Sequence, residues 1–486
     1  MAAIAALALT MVAFIFYTKS SSSSDAVVVR SIAVLPFVNA SADANTEYIS
    51  DGITEHLINN LSQFPQLQVI ARSTAFRYKG REVDPKAVGR ELGVRAVLMG
   101  RVLQLNDVLN IQTELVDAEK GTQIWGTQYN YKLSDIFSLQ EKISREISKS
   151  LKLKLTGEDE KRLGKRYTEN TEAYQLYLKG RYFWNKRTGA DIRKGIDYFE
   201  QAIAKDPNYA LAYAGLAYSY LVLPGYTDIS SLSVDQKVKE AATTALSLDD
   251  SLAEAHAALA NAAWRFEWDV SGAERGYKRA IELNPNYATA YQWYALFLSD
   301  LRRHDEAIAE MKRALKNDPL SLSINNGMGR IFAEAREYDL AIAQLRKTLE
   351  IDQSFNRPHR YLGEVYVQKG TLDMAIAEFQ QSIDASDNYM GLAGLAHAYA
   401  VSNRKDEAQK IIEDLQGKQN HNESLSYQLA IIYAGQGENE RSLEELQKAY
   451  ESRSPWLIHL NVEPRFDKLR DDPKFIDLLT RVGFVK

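Results

Sequence analysis

Histidine and paired acidic side chains are the groups with which this sequence could build a reactive centre. Its seven histidines lack the short spacings that metal ligands need. They are His56, His256, His304, His359, His397, His421 and His459. The acidic pairs Asp249-Asp250 and Asp471-Asp472 fall in segments typical of turns, where carboxylates cap helices in contact with water. The sequence therefore predicts no catalytic residue and no metal site.

Motifs that bind phosphates or activate a nucleophile are missing from the sequence. It has no phosphate-binding loop, no nucleophile elbow and no kinase block of the His-Arg-Asp or Asp-Phe-Gly type. Gly327-Met-Gly329 resembles part of a dinucleotide loop, but it lies in a predicted helix and follows no strand. Without cysteine, disulfides, zinc–thiolate sites and cysteine nucleophiles are excluded. We therefore predict that the protein is not an enzyme and holds no cofactor, with an unrecognised active site as the alternative.

The net charge of −5 gives little support to nucleic-acid binding, which usually needs a basic surface. One basic run stands out, interrupted by Phe76 and Tyr78. It consists of Arg72, Arg77, Lys79 and Arg81. We interpret it as a solvated loop or as an edge that docks a protein partner, and we predict no nucleic-acid partner.

The 486 residues are enough for about three domains, and their beginning differs from the rest. Residues 2–17 carry no charged side chain, and their length is at the lower end of the about 17–25 residues that cross a bilayer. Neither a basic start nor a small-residue cleavage site marks a secretory signal. We predict a transmembrane anchor at residues 1–18 and a linker at residues 19–29, with a cleaved signal or a buried soluble helix as alternatives.

Residues 30–155 are predicted to form an α/β domain with a small mixed sheet and helices. The run Ile32-Ala33-Val34-Leu35 is apolar on both faces, as in a buried strand. Residues 108–116 alternate between apolar and polar side chains, as in a half-buried antiparallel strand. Between them, Asp84-Pro85 is a helix start and Gly93 a helix end. The predicted order is β-α-β-α-β-β-β, followed by a helix over residues 134–155 and a helical linker over residues 156–170.

Several ordered blocks of this domain resemble the amino-terminal domain of TolB and its relatives, over residues 29–147. They are Ser31-Ile-Ala-Val-Leu-Pro-Phe37, Ser50-Asp-Gly-Ile53, Ala71-Arg-Ser73, Phe76-Arg-Tyr-Lys-Gly80, Gly93-Val-Arg-Ala-Val97 and Gln123-Ile-Trp-Gly126. In bacterial signalling proteins the resemblance implies a compact docking or sensing unit.

From residue 171 onward, small residues recur with a period near 34. They are Gly180, Ala217, Ala260, Ala295, Gly329, Gly363, Ala396 and Ala430. A large apolar residue follows three positions after each of them except Ala260, which is followed by Ala263. A small residue lets two antiparallel helices approach closely, and neighbouring pairs must stack to bury their apolar faces. The pattern predicts an all-α solenoid of about eight helical hairpins over residues 171–455.

These repeats resemble the tetratricopeptide (TPR) family, and residues 456–486 are predicted to form a terminal cap. The whole chain resembles the membrane and sensor half of bacterial TPR-containing serine/threonine kinases. We carry over no kinase activity, because no kinase module is expected before the membrane segment.

The first helix of each TPR hairpin lines the concave side of the solenoid, so residues one turn from the small positions are our candidate groove for a protein or peptide partner. They are Asn261, Arg265, Gln292, Asn326, Arg330, Arg357, Arg360, Glu364, Gln368, His397 and Tyr427. Arg330, Arg357 and Arg360 are expected to cluster and to suit an acidic peptide. The alternative is that these residues are solvated or pair internally with Glu334 and Glu364.

We therefore predict a membrane-anchored scaffold that binds a protein partner in bacterial signalling or envelope assembly. The rival hypothesis is the sensory half of a split regulator whose output enzyme or transcription factor is another chain. We expect a single-pass membrane protein with a periplasmic body, although Lys19 and Arg30 after the anchor favour a cytoplasmic body. The sequence does not indicate an oligomeric state.

Overall fold

The computed structural model describes residues 29–41, 43, 46–227, 229, 232–383, 389–419 and 425–484. The predicted anchor at residues 1–18, and all but the last residue of the predicted linker at residues 19–29, lie outside this part of the chain. Among the helices within it, none combines the length and the apolar character needed to cross a membrane.

A six-stranded mixed sheet organises the first domain. Its strands are β1 (Ser31–Val34), β2 (Val38–Asn39), β3 (Gln68–Val69), β4 (Ala96–Leu105), β5 (Val108–Asp117) and β6 (Thr122–Lys132). The order is β3-β1-β4-β5-β6, and the short β2 also pairs with β4. β1 runs parallel to β3 and β4, whereas β4, β5 and β6 form an antiparallel meander. The mixed sheet is confirmed, while the two-residue β2 was not predicted.

Helices cover both faces of this sheet. They are α1 (Glu47–Ser62), α2 (Arg72–Ala75), α3 (Pro85–Leu92), α4 (Ile136–Ser150) and α5 (Gly157–Leu163). Residues of α1 and α4 share a buried cluster with Ile32 and Val34 of β1. The opposite face of the same strand, Ala33, packs with Val88 of α3. Because β1 is covered on both sides, its apolar run has no polar alternation.

The helix bounds follow from local chemistry. Asp84 caps α3 by accepting a hydrogen bond from the Lys86 backbone nitrogen at 3.1 Å, and Gly93 ends it with a left-handed φ of 65°. The helix predicted over residues 134–155 is shorter than expected. It ends at Ser150, because Lys152 has a φ of 56° that interrupts the helical conformation.

Eight helical hairpins follow in the part of the chain that the structure describes. Their helices are α6 (Thr171–Trp184) and α7 (Gly189–Lys205), α8 (Ala210–Val222) and α9 (Leu232–Leu248), α10 (Ala253–Ala262) and α11 (Val270–Leu283), α12 (Ala288–Asp300) and α13 (His304–Asn317), α14 (Leu322–Glu334) and α15 (Tyr338–Ile351), α16 (Arg357–Gln368) and α17 (Leu372–Ser382), α18 (Tyr389–Val401) and α19 (Lys405–Gln419), and α20 (Leu425–Gln436) and α21 (Asn439–Glu451).

Large side chains of the second helices pack directly against the small residues of the first helices. A Cβ atom added to Gly363 would lie 2.8 Å from Cδ1 of Phe379, which is fully buried. A Cβ atom on Gly329 would lie 2.5 Å from Leu345 in the same way. The small positions are therefore places where one helix must make room for its partner.

The third hairpin departs from this pattern because it contains an extra residue. Residues Ala263–Glu267 form a π-helical turn, and Trp268 after it is left-handed with a φ of 58°. Trp264, instead of Ala263, points into the core and meets the ring of Phe297 edge-on with centroids 5.3 Å apart. The π turn accounts for the missing large residue at position 263.

We predict that Gly363→Val lowers the free energy of unfolding by about 1–3 kcal/mol, because the new side chain clashes with the Phe379 ring. Gly417→Ala is the matched control, since Gly417 is exposed in α19 with nothing within 4 Å of an added Cβ. It should instead stabilise the chain by about 0.5–1 kcal/mol, through helix propensity. Urea denaturation followed by circular dichroism measures both, and a neutral Gly363→Val would contradict the packing described.

Candidate functional site: the concave face and edge of the repeats

The loops that connect successive hairpins form an edge on which the α/β domain docks. Asn286, in the loop before α12, donates from Nδ2 to the carbonyl oxygens of Ser62 and Leu67 at 2.8 and 2.9 Å. Its Oδ1 accepts from the backbone nitrogen of Val69 at 3.4 Å. Because the buried Asn286 amide has its hydrogen bonds to backbone groups, it fixes the positions of the C-terminal end of α1 and of β3.

The next connecting loop repeats this arrangement with a carboxylate. Asp318 Oδ1 accepts from the backbone nitrogen and the hydroxyl of Thr74 at 3.1 and 2.7 Å, and its Oδ2 accepts from the Ser73 hydroxyl. One repeat further on, Arg77 donates to the carbonyl oxygen of Ile351 at 2.8 Å. Asn286, Asp318 and Ile351, at three successive connections between hairpins, thus hold the chain from the end of α1 to Arg77.

Most side chains of the basic run make contacts within the chain. Arg72 pairs with Glu55, Lys79 pairs with Asp51 and Glu47, and Arg77 docks on the repeats as described. Only Arg81 is exposed without such a contact among the described residues. The basic run, which we considered as an edge that docks a protein partner, thus contacts α1 and the repeats of its own chain.

Glu55 of α1 connects the two domains through a buried charge cluster. Its carboxylate accepts from Arg72 Nε at 3.0 Å, from Arg181 Nε at 2.7 Å and from Asn185 at 3.2 Å. Burial alone would raise the pKa of Glu55, but the two arginines outweigh it and lower that pKa. The carboxylate is therefore ionised while it is only 7% exposed.

The segment after the last hairpin turns back into the concave face of the solenoid. It contains two 3₁₀ turns, Pro455–His459 and Pro464–Leu469, before the final helix α22 (Pro473–Arg481). Phe466 is fully buried, with its ring edge-on to Tyr427 at 5.7 Å between centroids. α22 packs on α21, where Lys474 pairs with Glu440 at 2.6 Å. The cap that we predicted at residues 456–486 thus also fills part of the groove.

A charge network joins this segment to the middle repeats. His459 Nδ1 lies 3.0 Å from Asp300 Oδ1 and 3.1 Å from an Arg330 nitrogen. Arg330 also donates to Asp300, and to Glu334 at 2.6 Å. Burial raises the pKa of Asp300, and Arg330 and His459 more than offset this, so that it is lowered.

Asp300, Glu334 and His459 have ligand atoms within 4.8 Å of one another, as in a metal site. The Arg330 guanidinium contacts all three of these side chains. Because the fixed positive charge of Arg330 already occupies the space between the two carboxylates and would repel a metal ion, the cluster has the chemistry of an ion-pair network.

A second network lies along the groove, centred on Arg465 of the C-terminal segment. Arg465 pairs with Glu463 at 2.6 Å and with Glu364 at 3.3 Å, while Arg360 pairs with the same Glu364 at 2.8 Å. His397 is buried nearby, and its Nδ1 has no hydrogen-bond partner among the described residues. Burial, followed by the charge of Arg465, lowers the pKa of His397 to about 3.

The structure brings together most, but not all, of the predicted groove residues. Gln292 donates to Ser323 at 2.6 Å, and Arg265 lies within electrostatic reach of Asp300 and Arg330. Arg357 is separate, with its guanidinium 3.3 Å from the carbonyl oxygen of Gly225. The expected cluster of Arg330, Arg357 and Arg360 is therefore only partly present, because Arg330 and Arg360 lie near each other and Arg357 lies apart from them. The internal pairing with Glu334 and Glu364 is present.

The remaining groove residues face the C-terminal segment or the helical core. Asn261 and Asn326 have buried Oδ1 atoms without a hydrogen-bond partner in the described part of the chain, and so does the Tyr427 hydroxyl. Gln368, with Arg360 and Met390, lines a cavity of only about 50 Å³ beneath the C-terminal segment. Sequence reasoning missed the groove's occupant, because nothing in the periodic pattern relates His459 or Arg465 to residues a hundred positions earlier.

Comparison with known proteins supports the repeats directly. Residues 277–309 and 326–389 match models of the tetratricopeptide repeat. Residues 28–146 match the model described as HilA/YgeH-like transcriptional regulator, second domain, and the resemblance to TolB is not shown by this match.

One curated relative is the putative adenylate cyclase 3 of Rhizobium meliloti (strain 1021), which is 38% identical over 190 residues. That match covers 38% of this chain and 32% of the relative, so it spans about a third of the relative's length. Among solved structures, PilF of Pseudomonas aeruginosa is 19% identical over 44% of this chain and 91% of that chain, with a TM-score of 0.33. YrrB, described as a TPR protein with an unusual peptide-binding site, is 17% identical over 42% and 97%, with a TM-score of 0.27. Within the helical region, residues 277–309 and 326–389 are thus similar to tetratricopeptide repeats.

His397 should make stability depend on pH. Its pKa of about 3 in the folded chain is below the ordinary value of about 6.5, so its contribution is complete above pH 6.5 and is lost as the pH falls toward 3. At pH 5 the loss amounts to about 2 kcal/mol. Urea denaturation at pH 7 and pH 5 should show a smaller loss for His397→Asn than for the unaltered chain. Equal losses in both would mean that His397 accepts a proton without cost.

Proposed function

We propose that this chain is a scaffold whose tetratricopeptide repeats bind a segment of a protein partner. One observation carries the proposal: the concave face already holds an irregular segment of the chain itself. Residues 455–469 lie there in 3₁₀ turns, held by a hydrogen bond between Arg330 and His459, by the ion pair of Arg465 with Glu364 and by the edge-on packing of Phe466 against Tyr427. A surface that recognises this segment has the chemistry to recognise a similar one from a partner.

The groove suits a segment that carries both acidic and aromatic side chains. Arg330 and Arg360 supply planar donors for carboxylates, and Tyr361 stacks under Arg360 at 4.0 Å. The charged neighbours Glu334 and Glu364 neutralise these arginines while the groove is closed. A partner therefore competes with residues 455–469 for the same contacts, and its binding includes their release.

The site of action that we propose is a membrane surface in a bacterial signalling or envelope-assembly system. Residues 1–18 supply the apolar, uncharged segment for a single-pass anchor. The proposed body of the protein is periplasmic, and the protein has no enzymatic activity of its own.

A second candidate function is the regulatory half of a split signalling system, with the output on another chain. The specific observations in its favour are the partial match to a putative adenylate cyclase and the match to the second domain of a transcriptional regulator. One name is that of an enzyme and the other that of a transcriptional regulator, and in this proposal a separate polypeptide supplies such an output.

A photo-crosslinking amino acid at Gln368 should capture the partner, because this side chain lines the small cavity beneath residues 455–469, which the partner would replace. The control position is Lys347, which is exposed on α15, a second helix of a hairpin. We expect a specific crosslinked protein at position 368 in native cells, absent at position 347, and reduced in lysate by an excess of a synthetic peptide of residues 455–469. The same products at both positions would refute a groove-bound partner.

The topology can be measured with reporters fused to the C-terminus. Alkaline phosphatase should be active and green fluorescent protein dark after Sec-dependent export, if residues 1–18 anchor a periplasmic body. The reverse result places the body in the cytoplasm, in agreement with Lys19 and Arg30 beside the anchor. Deletion of residues 1–18 should release the chain from the membrane fraction, and retention of the deleted chain would contradict the anchor.

A further inference from the structure

A large cavity lies where the α/β domain meets the first hairpins, apart from the groove. It has a volume of about 930 Å³, within the about 300–1,000 Å³ of small-molecule sites. Residues of α1, α4, α6 and α10 all contribute to its lining. Because both domains supply walls, an occupant would contact both.

Aromatic rings dominate one side of this cavity. Six tyrosines line it, namely Tyr167, Tyr174, Tyr177, Tyr209, Tyr218 and Tyr287. The rings of Tyr177 and Tyr209 are tilted by 54° with centroids 5.2 Å apart. Trp184 lies close by, and its Nε1 has no hydrogen-bond partner among the described residues. Such walls of π-faces attract cations through the ring quadrupole.

A carboxylate with incomplete pairing faces the same space. Glu254, at the start of α10, accepts no hydrogen bond from the described residues, and its nearest cation is Arg181 Nη1 at 3.9 Å. Arg181 cannot serve it better, because its Nε and second terminal nitrogen are bound to Glu55. About a quarter of the Glu254 side chain, 26%, stays accessible from the cavity.

The tyrosines surround this carboxylate closely enough to sense its charge. Burial raises the pKa of Tyr177, and the charge of Glu254 raises it further. The pKa of Tyr287 rises for the same reasons, with burial first and the neighbouring Tyr218 and Glu254 adding to it. Burial likewise raises the pKa of Glu254 itself. A carboxylate that has lost water without gaining a donor is stabilised by any cation that enters.

We propose that this cavity binds a small organic cation, whose ammonium group pairs with Glu254 and packs against the tyrosine rings. Several arginines also line the cavity, but most of them already have a partner: Arg72 and Arg181 pair with Glu55, Arg162 with Glu158 and Arg279 with Glu282. An anion would have to displace these carboxylates, whereas a cation finds Glu254 with only a distant partner. This inference goes beyond the proposed function, because protein binding is proposed for the repeats and this separate cavity adds the sensing of a small ligand. Its position between the domains lets an occupant strengthen their association.

The experiment compares choline, putrescine and the uncharged choline isostere 3,3-dimethyl-1-butanol on the full chain, by calorimetry and thermal denaturation. Choline or putrescine should bind and raise the melting temperature, and the neutral isostere should bind at least about tenfold more weakly. This comparison needs no altered protein. A chain that binds neither cation, or binds the isostere equally well, overturns the proposal.

Glu254→Gln keeps the size of the side chain and removes its charge, and it should weaken binding of the cation at least about tenfold. Glu413→Gln, on the exposed face of α19, is the matched control and should bind as the unaltered chain does. If Glu254→Gln folds and binds with unchanged affinity, the cation does not pair with Glu254 and the proposal fails.

Discussion

Glu55 is the side chain on which the arrangement of the two domains depends. It lies on α1, receives Arg72 from its own domain, and receives Arg181 and Asn185 from the first hairpin. A buried carboxylate with two arginines tolerates little displacement, because each partner left alone would be a buried, uncompensated charge. This fixes how α1 packs against α6. It also places Ser62 and Thr74 of the α/β domain where they contact Asn286 and Asp318 in the connecting loops. Glu55, Asn286 and Asp318 all line the cavity between the domains, so the contacts that join the domains also form its walls.

The occupied groove changes how the repeats should be understood. A bare concave surface would expose arginine and aromatic side chains to water, whereas here Arg330 and Tyr427 contact residues 455–469, and Arg360 lines a small cavity beneath them. These contacts mix ion pairs with apolar packing. An external segment would therefore have to match both kinds of contact, which favours selectivity over tightness.

Much of the fold could be predicted because its signals are local and periodic. The small residues at Gly180, Gly329 and Gly363 marked the helix crossings, and Asp84 and Gly93 marked the ends of α3. The π turn at residues 263–267 was visible only as a break in the spacing. The candidate site was harder, since periodicity gives the face on which Arg330 lies but not what covers it. The partners of the basic run, and His459 opposite Asp300, are separated by long stretches of chain, and no local pattern encodes such pairs.

Contacts between residues so far apart in the sequence alter how a repeat protein folds and unfolds. In an ordinary solenoid each unit touches only its neighbours, so the ends fray one unit at a time. Here Trp264 meets Phe484, and Asn286 holds Ser62, across more than two hundred residues in each case. Such closures raise the contact order and slow folding, because the loops must form before these contacts stabilise them. They also join distant hairpins into one cooperative unit, so that the array melts as a whole.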